Sequence, residues 1–270
     1  MSNLSLKISG ILLLMLVFQT QAQTDTSRVW NNRKCAVVLT YDDGLNVHLD
    51  KVIPVLDSLG FKATFYVPGN SPSLAQRLNE WRAIANNGHE LGNHTLFHPC
   101  YGNLKGREWV KPEYDLNNYS MRQMFSEIRL ENTLLEAIDG KKQRTFAYTC
   151  GDCVIGDSSI KDLLHNDFVG ARGIVSKMEK INEIDLFDIG SYLISEQSGD
   201  QLIELVKKAR DNNALIVFLF QGVGGEHSIN ISLGEHNKLL RFLKENEKDI
   251  WIAPLAEISE YVKKYNDKKY

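Results

Sequence analysis

Residues 35–44 read Cys-Ala-Val-Val-Leu-Thr-Tyr-Asp-Asp-Gly, an apolar run that stops abruptly at two carboxylates and a glycine. Uninterrupted β-prone sequence from Cys35 to Tyr41 is what a strand buried on both faces requires. Such a strand needs helices on either side of its sheet. The flanking sequence supplies them. Val47 to Leu59 has helical apolar spacing and is closed by Gly60, and Ser73 to Asn87 is closed by Gly88. Between and after these helices, Phe61–Val67 and His89–His94 read as a second and a third strand.

Further along, the pattern predicts a long polar loop over Cys100–Tyr119 and a helix over Ser120–Ile138. Strands are expected at Thr145–Cys150, Phe168–Ile174, Leu186–Ile194, Ala214–Gln221 and Ile250–Ala253. Helices are expected at Gln201–Asn212, Gly234–Glu247 and Ala256–Tyr265. Strand-helix alternation over this length predicts an α/β fold, a distorted (β/α) barrel with seven or eight mostly parallel strands. No internal repeat or linker divides it.

The first 22 residues stand apart. Lys7 precedes an apolar run from Ile8 to Phe18, and Thr20-Gln21-Ala22 offers small residues where a signal peptidase reads. The run is too short to cross a hydrocarbon core of roughly 30 Å. We therefore expect a signal peptide over residues 1–22 and a catalytic domain over 23–270, exported to a periplasmic or extracellular location. An uncleaved N-terminal anchor is the alternative. No later stretch is long and apolar enough to span a membrane. With 31 Lys+Arg against 34 Asp+Glu, the chain has a net charge of −3 and no basic surplus for a nucleic-acid partner. Four Cys in 270 residues do not make a disulfide-stapled miniprotein.

In a barrel, chemistry sits where strands end. The first strand ends in Asp42 and Asp43, whose side chains point to opposite sides of an extended chain and can do different work. The third ends in His94-Thr95-Leu96-Phe97-His98-Pro99. Two histidines and one carboxylate make a facial set that leaves coordination positions open, as a catalytic metal needs.

Thr40-Tyr41-Asp42-Asp43-Gly44, Lys62-Ala63-Thr64-Phe65-Tyr66-Val67 and His94-Thr95-Leu96-Phe97-His98-Pro99 occur in the order and spacing of polysaccharide deacetylases, the NodB-type group called carbohydrate esterase family 4. The resemblance covers roughly residues 34 to 255 and is sharpest between 36 and 99. It implies a metal-dependent hydrolase that removes acetyl groups from an acetylated oligo- or polysaccharide. Carried over by position, Asp42 resembles the general base. Asp43, His94 and His98 resemble the ligands of a divalent ion, usually zinc, with cobalt, nickel or manganese also accepted by such a set.

The sequence departs from that family twice. Phe146-Ala147-Tyr148-Thr149-Cys150-Gly151-Asp152 fills the slot of Arg-Pro-Pro-Tyr-Gly, so the arginine that orients the base is replaced by Ala147, while the Cys150 backbone N–H remains an oxyanion donor candidate. Gln221 stands where the family has its general-acid histidine, and an amide cannot deliver a proton. His227 and Asp152 are the replacement candidates for the acid, and Arg172 is the best surviving cation. Trp109, in the polar loop, is the tryptophan placed to stack on a sugar. His48 and His236 fall in helices and read as surface residues. Cys150 and Cys153 have the spacing of a local disulfide, with two free thiols or a second metal site as alternatives. Besides a deacetylase, two other readings stand: a carbohydrate-binding pseudoenzyme that keeps its metal, and an amidohydrolase acting on a non-sugar amide.

Overall fold

The computed structural model describes residues 27–268. The expected export signal therefore lies outside the described residues. Nine strands form the main sheet: β1 (Cys35–Asp42), β2 (Thr64–Val67), β3 (Glu90–Asn93), β4 (Thr145–Ala147), β5 (Gly170–Arg172), β6 (Glu179–Lys180), β7 (Tyr192–Leu193), β8 (Ala214–Phe220) and β9 (Ile250–Ile252). The helices are α1 (Ile53–Leu59), α2 (Pro72–Gln76), α3 (Leu78–Asn86), α4 (Met121–Asp139), α5 (Lys161–Leu164), α6 (Gly199–Asp211), α7 (Leu233–Glu245) and α8 (Leu255–Asp267).

The order along the sheet is β5-β4-β3-β2-β1-β8-β6, parallel except for β6 against β8. On the edge of β1 facing away from β8, β9 pairs with Cys35–Val37 and β2 with Thr40–Asp42, so one strand serves two neighbours on the same side. The ends of the sheet meet through residues 186–194. Ala171 N donates to Leu186 O, Ile189 N to Ala171 O and Gly173 N to Ile189 O, while β7 pairs with β8 and Ile194 N donates to Leu219 O. This thin ladder is the seam of a distorted barrel. Of the strand expected over Leu186–Ile194, only two residues are regular, because the segment must bend from β5 to β8.

Alternate residues of β1 feed two hydrophobic clusters. Val37, Leu39 and Tyr41 pack with Val52 and Leu56 beside α1, Leu202 of α6 and Leu239 of α7, whereas Ala36 and Val38 share a cluster with Leu255, Ile258 and Val262 of α8. The buried Glu90 clamps these layers, its carboxylate accepting from Thr64 Oγ1, Thr145 N, Thr145 Oγ1 and Ala256 N. The helix expected over Ser73–Asn87 is two, broken at Arg77, whose guanidinium bonds Asp50 and Glu80 instead.

Candidate functional site

β1 delivers Asp42 at its last position, and the chain then turns through Asp43 (φ 75°) and Gly44 (φ 59°). A side chain at Gly44 would place Cβ 2.8 Å from Val67 Cγ1 and 2.9 Å from Ser71 Oγ, so the turn admits only glycine. Ser71 Oγ donates to Gly44 O over 2.9 Å, and Ser73 Oγ donates to the same carbonyl.

β3 delivers His94, and the next residues adopt left-handed backbone at Thr95 (φ 63°) and His98 (φ 53°). Such conformations cost on the order of 1–3 kcal/mol each and persist only where surroundings enforce them. Here they are enforced. Asn93 Oδ1 accepts from Thr95 N, Thr95 Oγ1 accepts from His98 N, and Thr95 O accepts from Gly69 N.

These turns bring Asp43, His94 and His98 together, one ligand atom from each lying within 4.8 Å of the others. Asp43 Oδ1 is 3.7 Å from His94 Nε2 and 3.4 Å from His98 Nε2. His94 Nδ1 donates to Ala147 O over 2.9 Å, which turns the lone pair of Nε2 towards the carboxylate. Burial holds His94 neutral, pushing its pKa down to about 3. Burial alone would raise Asp43, but in the acid range where it titrates the charge on His98, His94 and His227, with the hydrogen bond from Gln221, outweighs burial and holds its pKa below the ordinary value. Two neutral imidazoles and one carboxylate, converging with a fixed tautomer, fit a divalent cation.

Asp42 is separate from that set. Its Oδ2 accepts from Arg172 Nη2 over 2.5 Å and lies 3.8 Å from His94 Nε2, while its buried Oδ1 has no partner among the described residues. Burial raises its pKa to about 7, with Arg172 opposing and Asp43 adding to the rise. A carboxyl poised there can exchange a proton near neutral pH. The cation missing at Ala147 is thus supplied from the next strand, since Arg172 is the register partner of Ala147 across β4 and β5. The Arg172 guanidinium, fully buried, also lies 5.0 Å from the centre of the Tyr66 ring.

Gln221 follows β8, and its Nε2 donates to Asp43 Oδ2 over 2.8 Å. His227 comes from the adjoining turn, with Nε2 4.0 Å from the same oxygen. Its Nδ1 accepts from Ile229 N over 3.0 Å, so in the neutral ring the proton resides on Nε2, facing the site. Glu226, not singled out by the sequence, holds this turn in place: its carboxylate accepts from Asn46 Nδ2 (2.8 Å) and Val47 N (2.7 Å). His48 was missed as well. It is buried rather than superficial, accepting from Leu45 N at Nδ1 and donating from Nε2 to Gln221 O over 2.8 Å. His236 is buried too, hydrogen-bonded to Tyr41 Oη.

The segment around Cys150 corrects one expectation. Cys150 pairs with Cys100, not with Cys153, which is free. Asp152 Oδ2 forms an ion pair with Arg107 and accepts from Tyr101 N, which ties this carboxylate to the loop that carries Arg107. Arg107 Nη2 also donates to Cys150 O. Trp109 stands at the rim, 59% exposed, its ring 6.3 Å from that of His98. The cavity so formed has a volume of about 700 Å³, and Trp109, Ile174, Leu193 and Leu219 give it apolar walls above the polar floor. No helix among the described residues is long and apolar enough to cross a membrane.

The family model described as polysaccharide deacetylase matches residues 31–166. A peptidoglycan-N-acetylglucosamine deacetylase of Bacillus cereus is 34% identical over 116 residues, covering 37% of this chain and 40% of that protein. A gellan lyase of a Bacillus species is 26% identical over 224 residues, 82% of this chain but 8% of the relative. The chain thus spans less than half the length of either. A crystal structure of a Mycobacterium smegmatis protein assigned as a polysaccharide deacetylase superposes with a TM-score of 0.61, covering 87% of this chain and 92% of that one at 16% identity, a likeness of fold.

Proposed function

The chain belongs to the polysaccharide deacetylase family, and from that premise we propose that it is a metal-dependent hydrolase releasing acetate from an acetylated oligo- or polysaccharide. One observation supports this above the rest. Asp43, His94 and His98 converge on one point, and beside them stands a second carboxylate, Asp42, held by Arg172 and left out of the ligand set.

Asp43, His94 and His98 would hold the ion, zinc by the chemistry of the donors, with cobalt, nickel or manganese as substitutes. A divalent ion there supplies acidified water and a polarised acyl carbonyl. Asp42 takes the proton of the attacking water, Arg172 fixing the carboxylate and leaving Oδ1 to accept it. The backbone N–H of Cys150, a residue lining the cavity, donates to the developing oxyanion in this reading. His227 Nε2–H protonates the leaving group, the work that Gln221 cannot do. Gln221 instead orients Asp43. Trp109 offers a face for a sugar ring at the rim. An export signal over residues 1–22 agrees with a glycan outside the cytoplasm.

The test is acetate release from a panel of acetylated glycans, with purified protein, added metal and chelator. Release that vanishes with chelator and returns with zinc or cobalt supports the reading. A second reading, a carbohydrate-binding pseudoenzyme, is favoured by Gln221, and it wins if glycans bind with unchanged affinity yet no acetate appears.

A further inference from the structure

His98 is shared between two clusters. Its Nε2 lies 3.4 Å from Asp43 Oδ1, on the side of the proposed catalytic ion. Its Nδ1 lies 3.6 Å from Cys100 Sγ, on the other side. A ring nitrogen of His98 and the sulfurs of Cys100 and Cys150 all lie within 4.8 Å of one another, as close as Asp43, His94 and His98 themselves. The two cysteines are brought there from positions 50 residues apart, with their Cα atoms 5.9 Å from each other. Cys100 is fully buried, and Cys150 lines the cavity, so reagents reach the bond from the substrate side.

In the disulfide neither sulfur carries the negative charge a metal ligand needs. We propose that reduction of Cys100–Cys150 creates a second, sulfur-rich metal site, built from the two thiolates and His98 Nδ1, for a thiophilic divalent ion such as zinc or cobalt. The chemistry balances. A dithiol reductant gives two electrons to the S–S bond, which breaks; the reductant closes to its own disulfide and its two protons end on Cys100 and Cys150. The ion then replaces those protons, forming two metal–sulfur bonds and releasing two protons to solvent; with His98 Nδ1 as a ligand the ring proton sits on Nε2, so a neutral His98 serves one ion at a time. Zinc–sulfur bonds of about 2.3 Å require the sulfurs to swing apart, a motion of side chains about fixed backbones. Cysteine-rich sets with histidine suit zinc better than the carboxylate-bearing set across the ring.

Cobalt absorption reads this site directly, because only thiolate ligation gives a sulfur-to-cobalt charge-transfer band. Cobalt is added to the full-length protein, oxidised or reduced with a phosphine, which uses water as its oxygen and proton source. The oxidised protein should show no such band, whether or not the Asp43 set takes up cobalt. The reduced protein should show a band with the intensity of two thiolates, lost in the Cys100→Ser/Cys150→Ser double variant and kept in Cys35→Ser/Cys153→Ser. Thiol titration and circular dichroism run alongside. The proposal is overturned if all four thiols titrate in a folded, reduced protein and no band appears. It is equally overturned if the band survives in Cys100→Ser/Cys150→Ser, or if reduction unfolds the chain. Cobalt uptake by the oxidised protein, where the disulfide offers no thiolate, reports on the Asp43 set, so failure of that set and failure of the sulfur site are read in separate samples.

Discussion

Arg172 is the register partner of Ala147 across the β4–β5 ladder, and its Nη2 lies 2.5 Å from Asp42 Oδ2. An arginine one strand further round the barrel thereby serves the carboxylate that a residue at 147 would otherwise face. Both partners are buried, so each is the other's counter-charge in a setting where water supplies none.

Removing one partner of such a pair leaves an uncompensated buried charge, at a cost of about 3–5 kcal/mol. Arg172→Ala should lose stability in that range by denaturant unfolding, and Asp42 should respond by holding its proton to higher pH. Adding Ala147→Arg to Arg172→Ala should restore part of the loss, since the two positions are opposed. Wild-type stability in Arg172→Ala would show that the pair is incidental.

The Asp42 carboxyl should titrate near pH 7 in the metal-free protein, well above an ordinary aspartate, because burial outweighs the pull of Arg172. A folded-state pKa above the unfolded value means its favourable term is complete below about pH 4 and fades as pH rises through about 7. A divalent ion at Asp43, His94 and His98 favours the charged carboxylate, so zinc should move the midpoint downward. Carbon-13 NMR of labelled aspartate, with Asp42→Asn as the assignment control, measures both. A midpoint near 4 without metal, or one that zinc does not move, contradicts the account.

The apolar run into Asp42-Asp43-Gly44 and the two histidines of 94–98 were legible because strand burial and ligand spacing are local properties. What was hidden depends on register or distance. Arg172 reaches Asp42 only because β5 lies beside β4 in one alignment. Cys100–Cys150 closes across 50 residues, while the C-x-x-C spacing pointed to the wrong partner. Regular α-helical periodicity from Val47 puts His48 on the surface. The helical segment starts instead with a π-helical turn over His48–Val52, whose wider winding changes which residues face inward.

Glu226 should matter to activity without touching the metal ligands. It accepts from Asn46 Nδ2 and Val47 N, tying the turn that bears His227 to the segment after Gly44. Hydrogen bonds to a charged group are worth about 1.5–3 kcal/mol. Glu226→Ala should therefore free that turn, lowering turnover while zinc affinity stays at the wild-type level. Zinc affinity falling in step with turnover would mean that Glu226 supports the ligands instead.

The assignment of His227 makes the sharpest kinetic claim. A positioned acid contributes roughly 10²–10⁴-fold to rate, and the amide leaving group needs it more than an alkoxide does. His227→Ala should thus depress N-acetyl hydrolysis by about that factor while an activated acetyl ester suffers far less. Its Nδ1 already accepts from Ile229 N, so the lost proton is the one on Nε2, 4.0 Å from Asp43 Oδ2. Placing the acid back at the end of β8, by Gln221→His in the His227→Ala background, should recover amide turnover. Gln221→His alone should add little, because the position would already have a proton donor beside it. Parallel kinetics on an N-acetyl sugar and an activated ester separate these cases. If His227→Ala slows both substrates equally, the residue shapes the cavity and another group carries the proton.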